Sequence, residues 1–104
     1  MEFEIIISDT CLEEIEEICD YIEKNLKTPQ SANRLRIKII KTIHRLKNSP
    51  RLYKIIDKKD RFKRVYRRIV IDNYVILYTI IDEDEVILIS HMYYGGKNYL
   101  ESFL

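Results

Sequence analysis

The chain has 104 residues, 46% of them hydrophobic and 34% charged, with only two Gly and two Pro. That profile excludes a disordered or fibrous chain and predicts a single domain over 1–104 with one core, which at this size buries roughly 65% of its unfolded surface and needs no disulfide or structural metal. The net charge of +1 points to no partner, and no apolar run approaches the roughly 18 residues of a membrane span.

Phe3, Ile5 and Ile7 alternate with Glu2, Glu4 and Ile6 and predict a short first strand. Ser8, Asp9 and Thr10 all suit a helix N-cap, and Thr10 with Glu13 has the spacing of a capping box. Leu12, Ile15, Ile18, Cys19, Ile22 and Leu26 then recur every three or four residues as one apolar stripe, with glutamates on the other faces. Cys11 and Cys19 read as small core-side residues of this helix. Eight residues of helix separate them by about 12 Å, too far for a disulfide, which fits a reducing compartment. With Glu2 and Glu4 where a secretory leader is basic, the expected location is cytoplasmic.

A second helix is predicted from Thr28–Pro29, Thr as cap and Pro at the first helical position. Ala32, Leu35, Ile39, Ile43 and Leu46 form its stripe, and Asn48-Ser49-Pro50 stops it. The short link makes an antiparallel helical hairpin. His44 reads as a half-buried helix residue, not a catalyst. Residues 51–63 read as a Lys/Arg-rich loop. Three strands follow, from Val65 to Ile71, Tyr74 to Ile81 and Val86 to Met92, with Asp72–Asn73 as a two-residue hairpin turn. Tyr74–Ile81 and Val86–Met92 are apolar on both faces, as buried strands are. Gly95–Gly96 ends the last strand, and residues 99–104 form a short tail. The order is thus β-α-α-β-β-β, an α+β fold with a helical hairpin packed on one face of an antiparallel sheet.

Charge is unevenly distributed along this order. Residues 1–26 hold nine acids against one Lys, and 27–50 hold seven Lys/Arg and no acid. Residues 51–68 hold nine Lys/Arg against Asp57 and Asp60, and 69–104 hold six acids and Lys97. The basic charge is one central block. In 27–50 it sits at helical spacing and reads in part as a solvated face opposite the acidic first helix. In 51–68 it crowds into an irregular stretch, where Lys54, Lys58, Lys59, Arg61, Lys63, Arg64, Arg67 and Arg68 are the candidate target- or nucleic-acid-binding residues.

Three segments occur together: Tyr66-Arg67-Arg68-Ile69, Asn73-Tyr74-Val75-Ile76-Leu77-Tyr78, and Tyr93-Tyr94-Gly95-Gly96-Lys97-Asn98-Tyr99. With the upstream stripe ending at Leu46 and Ser49-Pro50, the chain resembles the RelE/ParE superfamily of bacterial toxins from its first strand to Tyr99. The resemblance implies the toxin of a type II toxin–antitoxin system, neutralised by a cognate antitoxin protein. It implies one of two mechanisms: inhibition of DNA gyrase by binding, slightly favoured here, or ribosome-dependent cleavage of mRNA. A non-toxic nucleic-acid- or protein-binding module on the same scaffold is the third reading.

Cleavage through a 2′-OH needs a base, cations at the phosphate and an acid. In the family these come from lysines after the second helix, an arginine in the hairpin strand, a further basic residue, and a C-terminal Tyr or His. Lys54, Lys58 and Lys59 match the lysines by position. Val75 occupies the place of the hairpin arginine, and in Tyr94-Gly95-Gly96-Lys97 one of two expected arginines is Gly96. The catalytic candidates are therefore Arg67, Arg68, Tyr94 and Lys97. Adjacent strand residues face opposite sides, so one of Arg67 and Arg68 must reach the open face. Tyr66, Tyr74 and Tyr78 read as packing residues, Tyr99 as structural, and His91 as a strand residue paired with a neighbour. No metal site, nucleotide loop or organic cofactor signature is present, and no cofactor is expected.

Overall fold

A computed structural model of the chain describes residues 2–25, 29–59 and 61–95. In chain order the elements are β1 (Glu4–Ile7), α1 (Asp9–Asn25), α2 (Pro29–Leu46), β2 (Lys54–Lys59), β3 (Val65–Ile71), β4 (Tyr74–Ile81), a single 3-10 turn (Asp82–Asp84) and β5 (Val86–Tyr94). The sheet order is β1-β5-β4-β3-β2. β2 to β5 form an antiparallel meander, while β1 joins β5 in parallel, Glu4 opposite Val86 and Ile7 opposite Ile89. The expected antiparallel sheet is thus present with one parallel strand added at its edge.

β2 corrects the expectation of a loop over 51–63. Lys54–Lys59 offers only Ile55 and Ile56 as strand formers between charged residues. It pairs with β3, Lys54 opposite Arg68 and Ile55 opposite Arg67, before the register shifts towards Lys59. A short, bulged, lysine-rich strand is how sheets protect an edge from further pairing. Its charge therefore belongs to strand design, which hid it from a propensity reading.

α1 starts two residues earlier than a Thr10–Glu13 box would put it. Ser8 is the cap: the Cys11 N–H donates to Ser8 Oγ at 3.0 Å. The same hydroxyl donates to the Ser90 carbonyl at 2.8 Å. Ser90 is the extra residue of a bulge in β5, since Leu77 pairs with His91 but Tyr78 pairs with Ile89. This tertiary bond favours Ser8 over the two neighbouring candidates. Cys11, Ile15, Cys19 and Ile22 are buried, whereas Leu12 is exposed, and Leu26 lies outside the described residues. α2 begins at Pro29 and buries all five stripe residues, while the proposed cap Thr28 lies outside the described residues. His44 is exposed, not half-buried, on the outer face of α2. Arg36 joins the helices through Glu16 at 3.0 Å and Glu23 at 3.5 Å, exposed pairs that each contribute up to about 1 kcal/mol.

The helices cover one face of the sheet. Their stripes meet Ile69, Ile71, Ile76, Tyr78, Ile87, Ile89 and Met92 in the main core. The other face carries a second, smaller cluster of Ile56, Tyr66, Val75, Leu77 and Tyr93. Strands apolar on both sides follow from having two such layers. The turn at Asp72–Asn73 forms as the sequence suggests, with Ile71 opposite Tyr74 and Asp72 in the left-handed region at φ 52°. Gly95 N–H closes this end of the sheet on the Asn73 carbonyl at 2.7 Å. A Cβ at Gly95 would stand 3.0 Å from that oxygen, so the approach favours glycine.

Candidate target-binding face

β3 sorts the two adjacent arginines. Arg68 pairs with Leu77 and shares the helix-free face with Tyr66 and Val70, while Arg67 pairs with Tyr78 on the helix side. Arg67 Nη1 donates to the Tyr53 carbonyl at 2.7 Å and to the Arg51 carbonyl at 3.3 Å. Buried Tyr78 donates its Oη to the Pro50 carbonyl at 2.7 Å. Burial pushes the Tyr78 phenol up to about 12, so it remains a donor at any physiological pH. Arg51 also pairs with Asp82. Together these bonds hold residues 50–53, the irregular entry to β2, against the meander. Arg67 is therefore a clamp on the basic segment, and Arg68 is the arginine that reaches the open face.

The register lines up four residues across that face: His91 on β5, Leu77 on β4, Arg68 on β3 and Lys54 on β2. Adjacent strands lie about 4.8 Å apart, so the row spans roughly 14 Å between its end backbones. Val75, 5% exposed, packs in the apolar cluster beside the row. Thr79 lies further along β4 and donates its hydroxyl to the Val65 carbonyl at 2.7 Å.

His91 is fixed from the helix side. Its Nδ1 lies 3.3 Å from Glu14 Oε1, the same oxygen that accepts the Met92 N–H at 3.0 Å. A carboxylate only accepts, so this pairing calls for the ring proton on Nδ1. The imidazole stacks on Tyr93, centroids 5.1 Å apart and planes 15° from parallel. Burial first, then the nearby Glu14 and Cys11 charges, raise the Tyr93 phenol to about 12. The neighbour expected for His91 is thus Glu14, which lies 77 residues away and leaves no local signal in the sequence.

The remaining candidates are dispersed. Lys58 lies on β2, and Lys59 is exposed at its end. Arg61, Lys63 and Arg64 are exposed on the turn between β2 and β3, where Lys63 has φ 65°. Phe62, which the sequence reading passed over, sits among them at 64% exposure. Tyr94 packs edge-on to Tyr74, centroids 6.1 Å apart, and shares a groove with Glu17, Ile18 and Tyr21 of α1. A second groove around the 72–73 turn runs from Arg68 and Val75 to Tyr94 and Gly95. It brings Arg68 and Tyr94 to one rim from opposite faces of the sheet. Lys97 and Tyr99 lie outside the described residues. Among the described residues no group of three His, Cys, Asp or Glu is placed to hold a metal, and no helix is long and apolar enough to cross a membrane.

This architecture, two helices on one face of a five-stranded mixed sheet, is the RelE-like toxin fold. It superposes on E. coli RelE, a doubly substituted form in the free state, with TM-score 0.63 and 19% identity over 98% of this chain and 93% of that one. The RelBE2 toxin–antitoxin complex of Mycobacterium tuberculosis gives TM-score 0.62 at 13% identity, covering 93% of this chain and 95% of that one. The archaeal RelE–RelB complex of Pyrococcus horikoshii gives TM-score 0.58 at 15% identity, covering 93% and 99%. No curated protein matches the sequence. Residues 5–99 match the family of the ParE toxin of the type II toxin–antitoxin system parDE. The chain belongs to that family and is the toxin component of a type II toxin–antitoxin system.

Proposed function

We propose that this toxin arrests growth by binding DNA gyrase, with the helix-free face around Arg68 as its docking surface, and that a cognate antitoxin neutralises it in the cytoplasm. The observation that carries this reading is the dispersal of the catalytic candidates. The Arg67 guanidinium is engaged by two backbone carbonyls, and Val75 is apolar and buried where the hairpin arginine of nucleolytic relatives is expected. Losing one pre-placed cation at a phosphate undergoing cleavage costs roughly 3 kcal/mol of transition-state stabilisation. Inhibition by binding needs no such constellation, only a surface. Lys54, Arg68 and the exposed 61–64 turn supply one with positive charge next to an apolar cluster. The antitoxin partner is supported by the solved neighbours, two of which are toxin–antitoxin complexes.

A second reading, ribosome-dependent mRNA cleavage, draws on the row from Lys54 through Arg68 to His91. An imidazole held by Glu14 on the same face as two cations is the beginning of an acid–base site. Expression in cells separates the two readings. Loss of supercoiling with intact transcripts supports gyrase as the target. Transcripts cut only while translated, with cutting abolished by His91→Ala and Arg68→Ala, would establish the second reading.

A further inference from the structure

The turn between β2 and β3 has a chemistry that the docking role does not require. Phe62 is a large apolar ring at 64% exposure, outside both buried clusters. Two guanidinium groups lie beside it. The Cζ of Arg61 is 5.1 Å from the ring centroid and that of Arg64 is 5.5 Å. Lys59 and Lys63 are exposed on either side, and Lys63 takes a left-handed backbone at φ 65°. For a residue other than Gly, Asn or Asp that conformation is uncommon. A plain solvated turn needs neither the strained lysine nor the ring.

We propose that Phe62 is a base-stacking platform for single-stranded nucleic acid, with Arg61, Lys63 and Arg64 holding the flanking phosphates. A base has a π-face and carries its phosphates a few ångströms away, which matches a ring surrounded by cations. Exposed cation–π contacts are weaker than base–aromatic stacking. An incoming base therefore displaces a guanidinium from the ring, and the released group finds a phosphate. The ligand is single-stranded because paired bases in a duplex do not present their faces. Stacking is indifferent to the sugar, so DNA and RNA strands both qualify, and base identity is read weakly. The turn closes the edge hairpin at its Lys59–Val65 end, and Lys54 faces Arg68 at the other end of the same ladder, so a strand that runs along β2 and β3 from the platform reaches the open face.

The test uses the chain's lack of tryptophan. Phe62→Trp places the only indole in the protein at the platform. Oligothymidylate and oligouridylate are expected to quench its fluorescence saturably. A duplex of equal length, and an oligomer of equal length made of abasic sites, are expected to leave it unquenched. Phe62→Ala is expected to weaken single-strand binding by roughly tenfold or more while keeping the dependence of affinity on salt, since no phosphate contact is lost. Arg61→Ala and Arg64→Ala should each reduce the salt slope by about 0.7. Equal binding of abasic and normal strands, or wild-type affinity in Phe62→Ala, would overturn the proposal. So would absence of any single-strand binding. None of these outcomes bears on gyrase inhibition, which is read separately by supercoiling.

Discussion

Replacing Arg67 by Ala separates the two adjacent arginines by role. Arg67 makes two hydrogen bonds to carbonyls, at 2.7 and 3.3 Å. Hydrogen bonds to charged groups contribute about 1.5–3 kcal/mol. The longer bond and the partial exposure of the side chain discount the pair to roughly 2–3 kcal/mol in all. For a chain near 100 residues that is a fall in Tm of roughly 8–20 °C. Arg67→Lys retains one bond at best and should lose about half as much. Arg68→Ala, on the open face, is expected to cost about 1 kcal/mol or less yet to lose most of the toxicity. Tyr78→Phe, which leaves the Pro50 carbonyl unpaired, should cost about 1–2 kcal/mol. Because Tyr78 and Arg67 hold the same four residues, the double variant should show a coupling of roughly 0.5 kcal/mol or more. Urea unfolding of the purified toxin, freed of its antitoxin, measures all of these. Full stability in Arg67→Ala with lost toxicity would refute the clamp and return Arg67 to the target-binding set.

Ser8→Ala removes both the helix cap and the bond to Ser90, and urea unfolding should show a loss of about 1–2 kcal/mol. Glu14→Ala should cost about 1–3 kcal/mol by leaving the Met92 N–H without its acceptor, whereas Glu14→Gln keeps a carbonyl oxygen there and should cost much less. Burial raises Cys11 from 9.0, and Tyr78 and Tyr93 from 10.0, each to about 12. Each group is neutral when protonated, so the unfolded chain loses its protons first. Stability is therefore complete below about pH 9 and falls as pH rises from 9 towards 12. Alkaline unfolding followed by circular dichroism checks that window. The buried thiols of Cys11 and Cys19 should resist a thiol reagent at pH 8 until denaturant is added.

Elements whose signals are local were legible in the sequence. The stripe Ala32, Leu35, Ile39, Ile43 and Leu46 is a simple helical period, and all five residues are buried. Asp72–Asn73 sits between two β-branched runs and turns where expected. What escaped depends on tertiary partners. β2 is a strand because β3 offers it a ladder, and its lysines protect an edge that exists only in the folded sheet. Ser8 is chosen over Thr10 because Ser90 stands nearby. The facing of Arg67 and Arg68 was legible as an alternation, but which of them faces out depends on the register with Tyr78 and Leu77. The family resemblance pointed to a missing hairpin arginine at Val75. The burial of Val75 within the second apolar cluster gives that absence a physical meaning, since a charge there would have to be desolvated.

The most direct test of the account adds purified toxin to DNA gyrase and relaxed plasmid, with translated mRNA followed in parallel. The account predicts that the wild-type toxin blocks supercoiling, that Arg68→Ala does so far less well while remaining folded, and that transcripts stay intact. Unimpaired supercoiling together with cleavage of mRNA on ribosomes would contradict it.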